Sequence, residues 1–146
     1  MIKKILFMLI LSSALMYGME YKIDKVIVNQ IDGQNNKLVD EHDEYYDTWN
    51  NFNDFMIMVY ITTENPKKDY YEDNRTLLLE VYDKINGKKL YKEQVNTSYL
   101  NVGGQYQWFL IRNQIMSCGQ YMIITKLLGQ KKESKKEKIV STLCGE

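Results

Sequence analysis

From residue 21 onward, apolar positions recur every second residue in short runs broken by turn signals, the two-residue period of strands half-buried against a core. Tyr21 to Ile31 sets Ile23, Val26, Val28 and Ile31 among Lys22, Asp24, Lys25, Asn29 and Gln30, and Asp32-Gly33 closes it as a turn. Lys37-Leu38-Val39 reads as a short returning strand. Phe55 to Ile61 is apolar at odd and even positions alike, which predicts a central strand buried on both sides or covered on its outer side by a loop. Glu64-Asn65-Pro66 stops that run, because Pro66 has no N–H to give a ladder and pushes Asn65 out of the helical region.

Arg75 to Val95 folds back about Asn86-Gly87. A two-residue loop would set Glu80 against Glu93, whereas a three-residue Ile85-Asn86-Gly87 loop sets Glu80 against Lys92 and Asp83 against Lys89. Opposed charges favour the second register, with Gly87 left-handed and Leu77, Leu79, Val81, Tyr91 and Val95 on the core face. Asn96 to Gln105 is a connection, and Tyr106 to Ile111 alternates Tyr106, Trp108 and Leu110 against Gln107, Phe109 and Ile111 as a further strand. The chain ends in a hairpin, Tyr121–Leu128 and Lys138–Leu143, around the polar loop Gly129–Lys136. Folding it about the loop centre sets Ile123 against Ile139, Met122 against Val140 and Cys118 against Cys144. Opposed Cβ atoms about 4.5–5.5 Å apart are close enough to bridge, so these two cysteines, the whole complement of the chain, are expected to form a disulfide. No segment carries the 3.6-residue period of an amphipathic helix, and no repeat is present.

Residues 1–18 differ from the rest. Met1-Ile-Lys-Lys is basic, Ile5 to Tyr17 is apolar, and small or polar residues follow to Gly18, the order of a secretory signal peptide. The apolar run is shorter than the ~20 residues of a spanning helix. Cleavage is expected after Gly18 or Met19, leaving a soluble periplasmic or secreted domain over 19–146 with no stable membrane insertion. No cysteine follows the apolar run, so a lipoprotein is not expected. An oxidising compartment also favours the disulfide.

Removing Lys3 and Lys4 with the leader takes the formal charge from 19 − 19 = 0 to 17 − 19 = −2. A near-neutral domain gives no reason to expect a nucleic-acid partner. The chemistry-bearing residues are sparse. Asp40, Glu41, Asp43, Glu44 and Asp47 crowd around His42, but their spacing is not that of a calcium loop and the turning glycine is missing, so they read as a solvated acidic loop with no metal. His42, the single histidine, has no Gly-x-Ser-x-Gly elbow to serve, and neither a phosphate loop nor Cys-x-x-Cys nor His-Glu-x-x-His occurs. No catalytic residue and no cofactor is assigned. Lys131, Lys132, Lys135, Lys136 and Lys138 make a basic hairpin tip. Tyr45, Tyr46 and Trp49, aromatics in a connection without a strand pattern, are the candidate ligand-binding residues.

A strand carrying Trp108, a short connection, Gly119-Gln120-Tyr121, an apolar strand, a polar loop and a last strand are similar to the end of bacterial immunoglobulin-like and fibronectin-type-III-like modules. Gly119-x-Tyr121 resembles their tyrosine corner, where a Tyr opening the penultimate strand bonds back to the chain. The likeness covers the chain from Arg75 onward. Cys118 and Cys144 depart from antibody domains in lying on adjacent strands. The resemblance implies an all-β, immunoglobulin-like antiparallel sandwich of about seven strands, with a small up-and-down barrel as the alternative. The function it implies is a non-catalytic exported binding or assembly module with a protein or glycan partner. The alternative is a small exported hydrolase or hydrolase inhibitor acting through the sandwich-end loops.

Overall fold

A computed structural model describes residues 20–32, 37–38, 45–47, 54–63, 72–100, 104–130 and 132–143. Residues 1–19, where a signal peptide is expected, His42, Trp49, Lys131 and Cys144 lie outside the described residues. The elements are β1 (Tyr21–Asp32), β2 (Lys37–Leu38), β3 (Tyr45–Asp47), β4 (Asp54–Thr63), β5 (Glu72–Asp83), β6 (Lys89–Leu100), β7 (Gln105–Ile111), β8 (Gly119–Leu128) and β9 (Ser134–Leu143). They form a sheet β2-β1-β4-β7 and a second sheet β3-β9-β8-β5-β6. Seven strands are long and two are short, and the two sheets remain separate, which makes a sandwich and not a barrel.

The core is what the alternation demands. Phe55, Ile57, Val59 and Ile61 of β4 meet Leu77, Leu79 and Val81 of β5, with Ile23, Phe109, Ile123 and Val140 filling the space between the sheets. Tyr91 and Val95 pack against this cluster, on the face expected of them. The expectation that β4 is buried on both sides is corrected: its even positions Met56, Met58 and Tyr60 are half-buried.

Four local readings change, the first being that β6 runs on to Leu100, through half of the Asn96 to Gln105 segment expected to be a connection. The β5–β6 hairpin pairs Glu80 with Lys92 as expected, but Lys89 lies opposite Tyr82 and not Asp83. Asp83 Oδ1 accepts the N–H groups of Ile85 (2.8 Å) and Asn86 (3.3 Å), an Asx turn that enlarges the loop to Lys84–Gly87. Asp83 N–H donates to the Lys88 carbonyl at 2.9 Å across its base, and the extra residue is taken up as a bulge beside Val81 and Tyr82. Gly87 is left-handed, φ 70°, as the turn requires.

The β8–β9 ladder runs one residue out of the expected register, with Tyr121 opposite Val140, Met122 opposite Ile139 and Ile123 opposite Lys138. The ladder opens at Gly119 with Thr142; Gly119, at φ 135°, keeps Cys118 in the preceding bend and out of the strand. A one-residue slip exchanges faces, so Val140 is in the core and Ile139 is 46% exposed. The loop is also shorter than expected, β9 beginning at Ser134. Finally, Tyr45–Asp47 is no free connection: it forms the edge strand β3, parallel to β9, with Tyr45 in register with Ser141 and Tyr46 with Thr142.

Two hydrogen-bonded ties hold the ends of this sandwich. Tyr121 Oη donates to the Cys118 carbonyl at 3.0 Å, bonding the penultimate strand back to its own approach. At the other end, Tyr21 N–H donates to Gln130 Oε1 (3.0 Å) and Ile23 N–H to Ser134 Oγ (2.8 Å), fastening β1 to the β8–β9 turn.

Candidate binding face

In β7 the core receives Phe109 and Ile111, so Tyr106, Trp108 and Leu110 must point away from it. They are 51%, 55% and 48% exposed. Successive members of the row are separated by about 7 Å along the strand. The register with β4 sets Tyr60 beside Tyr106, Met58 beside Trp108 and Met56 beside Leu110, and β1 continues the face with Ile27 opposite Met58. The Tyr60 and Tyr106 rings lie 4.8 Å apart between centroids, inclined by 35°. Gly104, just before β7, makes room for this pair, since a Cβ there would sit 1.9 Å from the Tyr60 hydroxyl.

The face is electrically quiet. Among its described members on β1, Lys25 opposite Tyr60 and Lys22 opposite Thr62 are charged, both toward the end of the face where Tyr60 lies. At the far end of β7, Arg112 Nη1 donates to Asp54 Oδ2 at 2.7 Å and Asn113 N–H to Asp54 Oδ1 at 3.0 Å, so that this charge pair is closed within the chain. Rings, thioethers and a leucine side by side with little charge can dock an apolar surface.

A second feature is concave. A cavity of about 190 Å³ lies between the start of β1 and the β8–β9 turn, lined by Tyr21, Lys22, Ile23, Lys132, Glu133, Ser134, Lys135 and Lys136. Lys135 is ion-paired to Glu137, and the Ser134 hydroxyl is taken up by Ile23. Among the described residues no group of three metal-ligating side chains occurs, and no helix is long and apolar enough to cross a membrane.

The structure places Tyr45 and Tyr46 on β3, at the far edge of the other sheet from β7, and leaves Trp49 outside the described residues. Sequence reasoning singled out those three and passed over Tyr106, Trp108, Leu110, Met56, Met58 and Tyr60. The signal was available: two strands carry apolar residues at both parities, while a sandwich has one core to receive them.

No protein-family model matches the chain, and no curated protein matches it either. Solved structures that it resembles include a protein assigned as a beta-galactosidase from Bacteroides fragilis, at 14% identity and a TM-score of 0.54. That likeness covers 83% of this chain and 17% of the other, so the chain spans a small part of the protein it resembles. It supports a β-sandwich fold.

Proposed function

We propose that this chain is an exported, non-catalytic binding module that docks an apolar protein surface on the Tyr60, Tyr106, Trp108 and Leu110 face. The observation that carries it is the row Tyr106, Trp108 and Leu110, about half exposed on a sheet whose other side already fills the core. Tyr, Trp and Met are the residue types enriched in the cores of protein interfaces. The mixture of rings with Met56, Met58 and Leu110 favours a protein over a glycan, which would be served by rings alone.

The proposal includes removal of residues 1–18 and a soluble periplasmic or secreted domain held by a Cys118–Cys144 disulfide. In support of the disulfide, Cys118 lies one residue before the β8–β9 ladder and is not free. It also includes an immunoglobulin-like topology. Among the long strands, the first, second and fifth share one sheet, and the seventh, sixth, third and fourth share the other. That order supports the reading, as does the bond from Tyr121 to the Cys118 carbonyl, which has the form of a tyrosine corner.

The test is capture of a partner, identified by mass, from the exported fraction of the native cell. Buried aromatic anchors cost more than about 1–2 kcal/mol of binding when truncated. A Tyr106→Ala/Trp108→Ala variant should therefore lose the partner while its thermal midpoint stays near that of the wild type. Undiminished capture by a folded double variant overturns the proposal. Loss of capture in a Tyr45→Ala/Tyr46→Ala/Trp49→Ala variant, with the β7 variant intact, would move the site to β3.

A further inference from the structure

The charge of the chain is unevenly spread. From residue 19 onward it carries a formal −2, yet Lys131 to Lys138 alone holds five lysines and two glutamates, +3, which leaves −2 − 3 = −5 for everything else. A positive patch on an otherwise acidic domain concentrates anions beside it. Here the patch borders the concavity of about 190 Å³ between the opening of β1 and the β8–β9 turn. Its lining includes Lys132, Lys135 and Lys136 of the turn and Lys22 of β1, against the carboxylate of Glu133. Lys135 is ion-paired to Glu137, and with that partner counted four positive charges still stand against two negative. The walls are fixed before any ligand arrives. The Gln130 carboxamide accepts the Tyr21 N–H at 3.0 Å and donates to the carbonyls of Tyr21 at 2.8 Å and Lys132 at 2.7 Å. The Ser134 hydroxyl accepts the Ile23 N–H at 2.8 Å, and both Tyr21 and Ile23 are buried. A cleft held open in this way loses less freedom when it is filled.

We propose that this concavity binds a tetrahedral oxyanion, a phosphate or sulfate group. The chemistry of the lining selects that class. A planar carboxylate is matched by the forked guanidinium of arginine, and the lining holds no arginine. Ammonium groups act as point charges, and several around one hollow suit a compact, multiply charged anion. The residues that frame the hollow, Gln130 and Ser134, spend their polar groups on the backbone of β1, so the lysines are what a ligand would meet. The site shares none of Tyr60, Tyr106, Trp108 and Leu110, and the inference does not depend on the docking of a protein there.

Titration of inorganic phosphate, and separately of inorganic sulfate, into the purified exported chain at low ionic strength tests it, followed through the backbone amide resonances. Saturable shifts confined to residues 21–23 and 132–136 are expected, with the affinity falling as sodium chloride is added. Lys132 and Lys136 are exposed, so a Lys132→Glu/Lys136→Glu variant should weaken binding by about tenfold or more with its thermal midpoint kept. If that variant unfolds, Lys132→Gln/Lys136→Gln takes its place, with a smaller loss expected. A hexose phosphate and a hexose sulfate, compared with the bare ions, distinguish the source of the group. Tighter binding of the esters assigns the site to a group carried on a larger molecule and equal binding to the free ion, and either result supports it. Absence of saturable shifts, shifts spread over lysines elsewhere such as Lys84 and Lys88, or undiminished binding in a folded double variant overturns the proposal. Since ion titration and partner capture are read separately, a chain that captures a partner but takes up neither ion sinks this inference alone.

Discussion

The two sheets turn unlike faces to the solvent. On the outer face of the five-stranded sheet, Glu80 is 5% exposed and is ion-paired to Lys89, with Lys126 at 4.0 Å on its other side. Lys89 also lies 5.3 Å over the Tyr82 ring, and Thr76 Oγ1 donates to Asn96 Oδ1 at 2.6 Å. On the four-stranded sheet the corresponding positions hold Met56, Met58, Tyr60, Tyr106, Trp108 and Leu110. The first face ties its polar groups together within the chain, and it also carries the apolar row Tyr82, Met122 and Ile139, the last 46% exposed. The second keeps apolar surface in water, where each square ångström later covered is worth about 25 cal/mol. The two faces therefore differ in charge more than in the presence of apolar residues.

The sharpest way to break the comparison is inside β4, where neighbours face opposite ways. Ile57 is fully buried and Met58 half-buried. Ile57→Ala should cost about 2–5 kcal/mol, and Met58→Ala about 1 kcal/mol or less, read as shifts in a denaturant midpoint. Equal costs would mean that both faces of β4 are core. Next comes Glu80. The hydrogen bond from Lys89 holds its carboxyl below the ordinary carboxylate range, against burial, which pushes it up; Tyr82 and Lys126 add to the lowering. A carboxyl lowered on folding stabilises the fold above its unfolded value and loses that contribution as pH falls through the folded one. Glu80→Gln should therefore cost about 1.5–3 kcal/mol at neutral pH and flatten the acid limb of the stability profile. An unchanged acid limb would show that this face does not depend on its charges. The smallest effect concerns the apolar face itself. Gly104→Ala drives a Cβ into the Tyr60 ring and should cost about 1 kcal/mol while pulling Tyr60 off Tyr106, visible as altered near-ultraviolet dichroism. A silent spectrum would remove the ring pair from the description of the face.

Most of the strands were legible because their period is two and their punctuation strong, as at Asn86-Gly87 and Pro66. What was not legible follows from physics that composition hides. The β8–β9 register depended on Gly119 adopting φ 135° and keeping Cys118 out of the ladder, a backbone event with no hydrophobic signature. The β5–β6 loop depended on which N–H groups the Asp83 carboxylate would collect. β3 is three residues long and made by its neighbour β9, so the segment around Tyr45 has no pattern of its own to read. The candidate face was missed for a different reason. Tyr106-x-Trp108-x-Leu110 and Phe109-x-Ile111 are both apolar rows, and only the packing of the second against β4 and β5 tells which one faces inward.

The ties at Gln130 and Ser134 carry a consequence for the order in which the protein is made. They join residues 109 and 111 positions apart, so the opening of β1 has to wait for almost the whole chain before its partners exist. Closing a loop of that length costs entropy before any contact repays it, and sandwiches dominated by such distant pairings assemble in milliseconds to seconds. A ribosome delivering the chain from its N-terminus would hold the first strand short of its final bonds until the last hairpin emerged, and the completed fold would arrive as a late, single event.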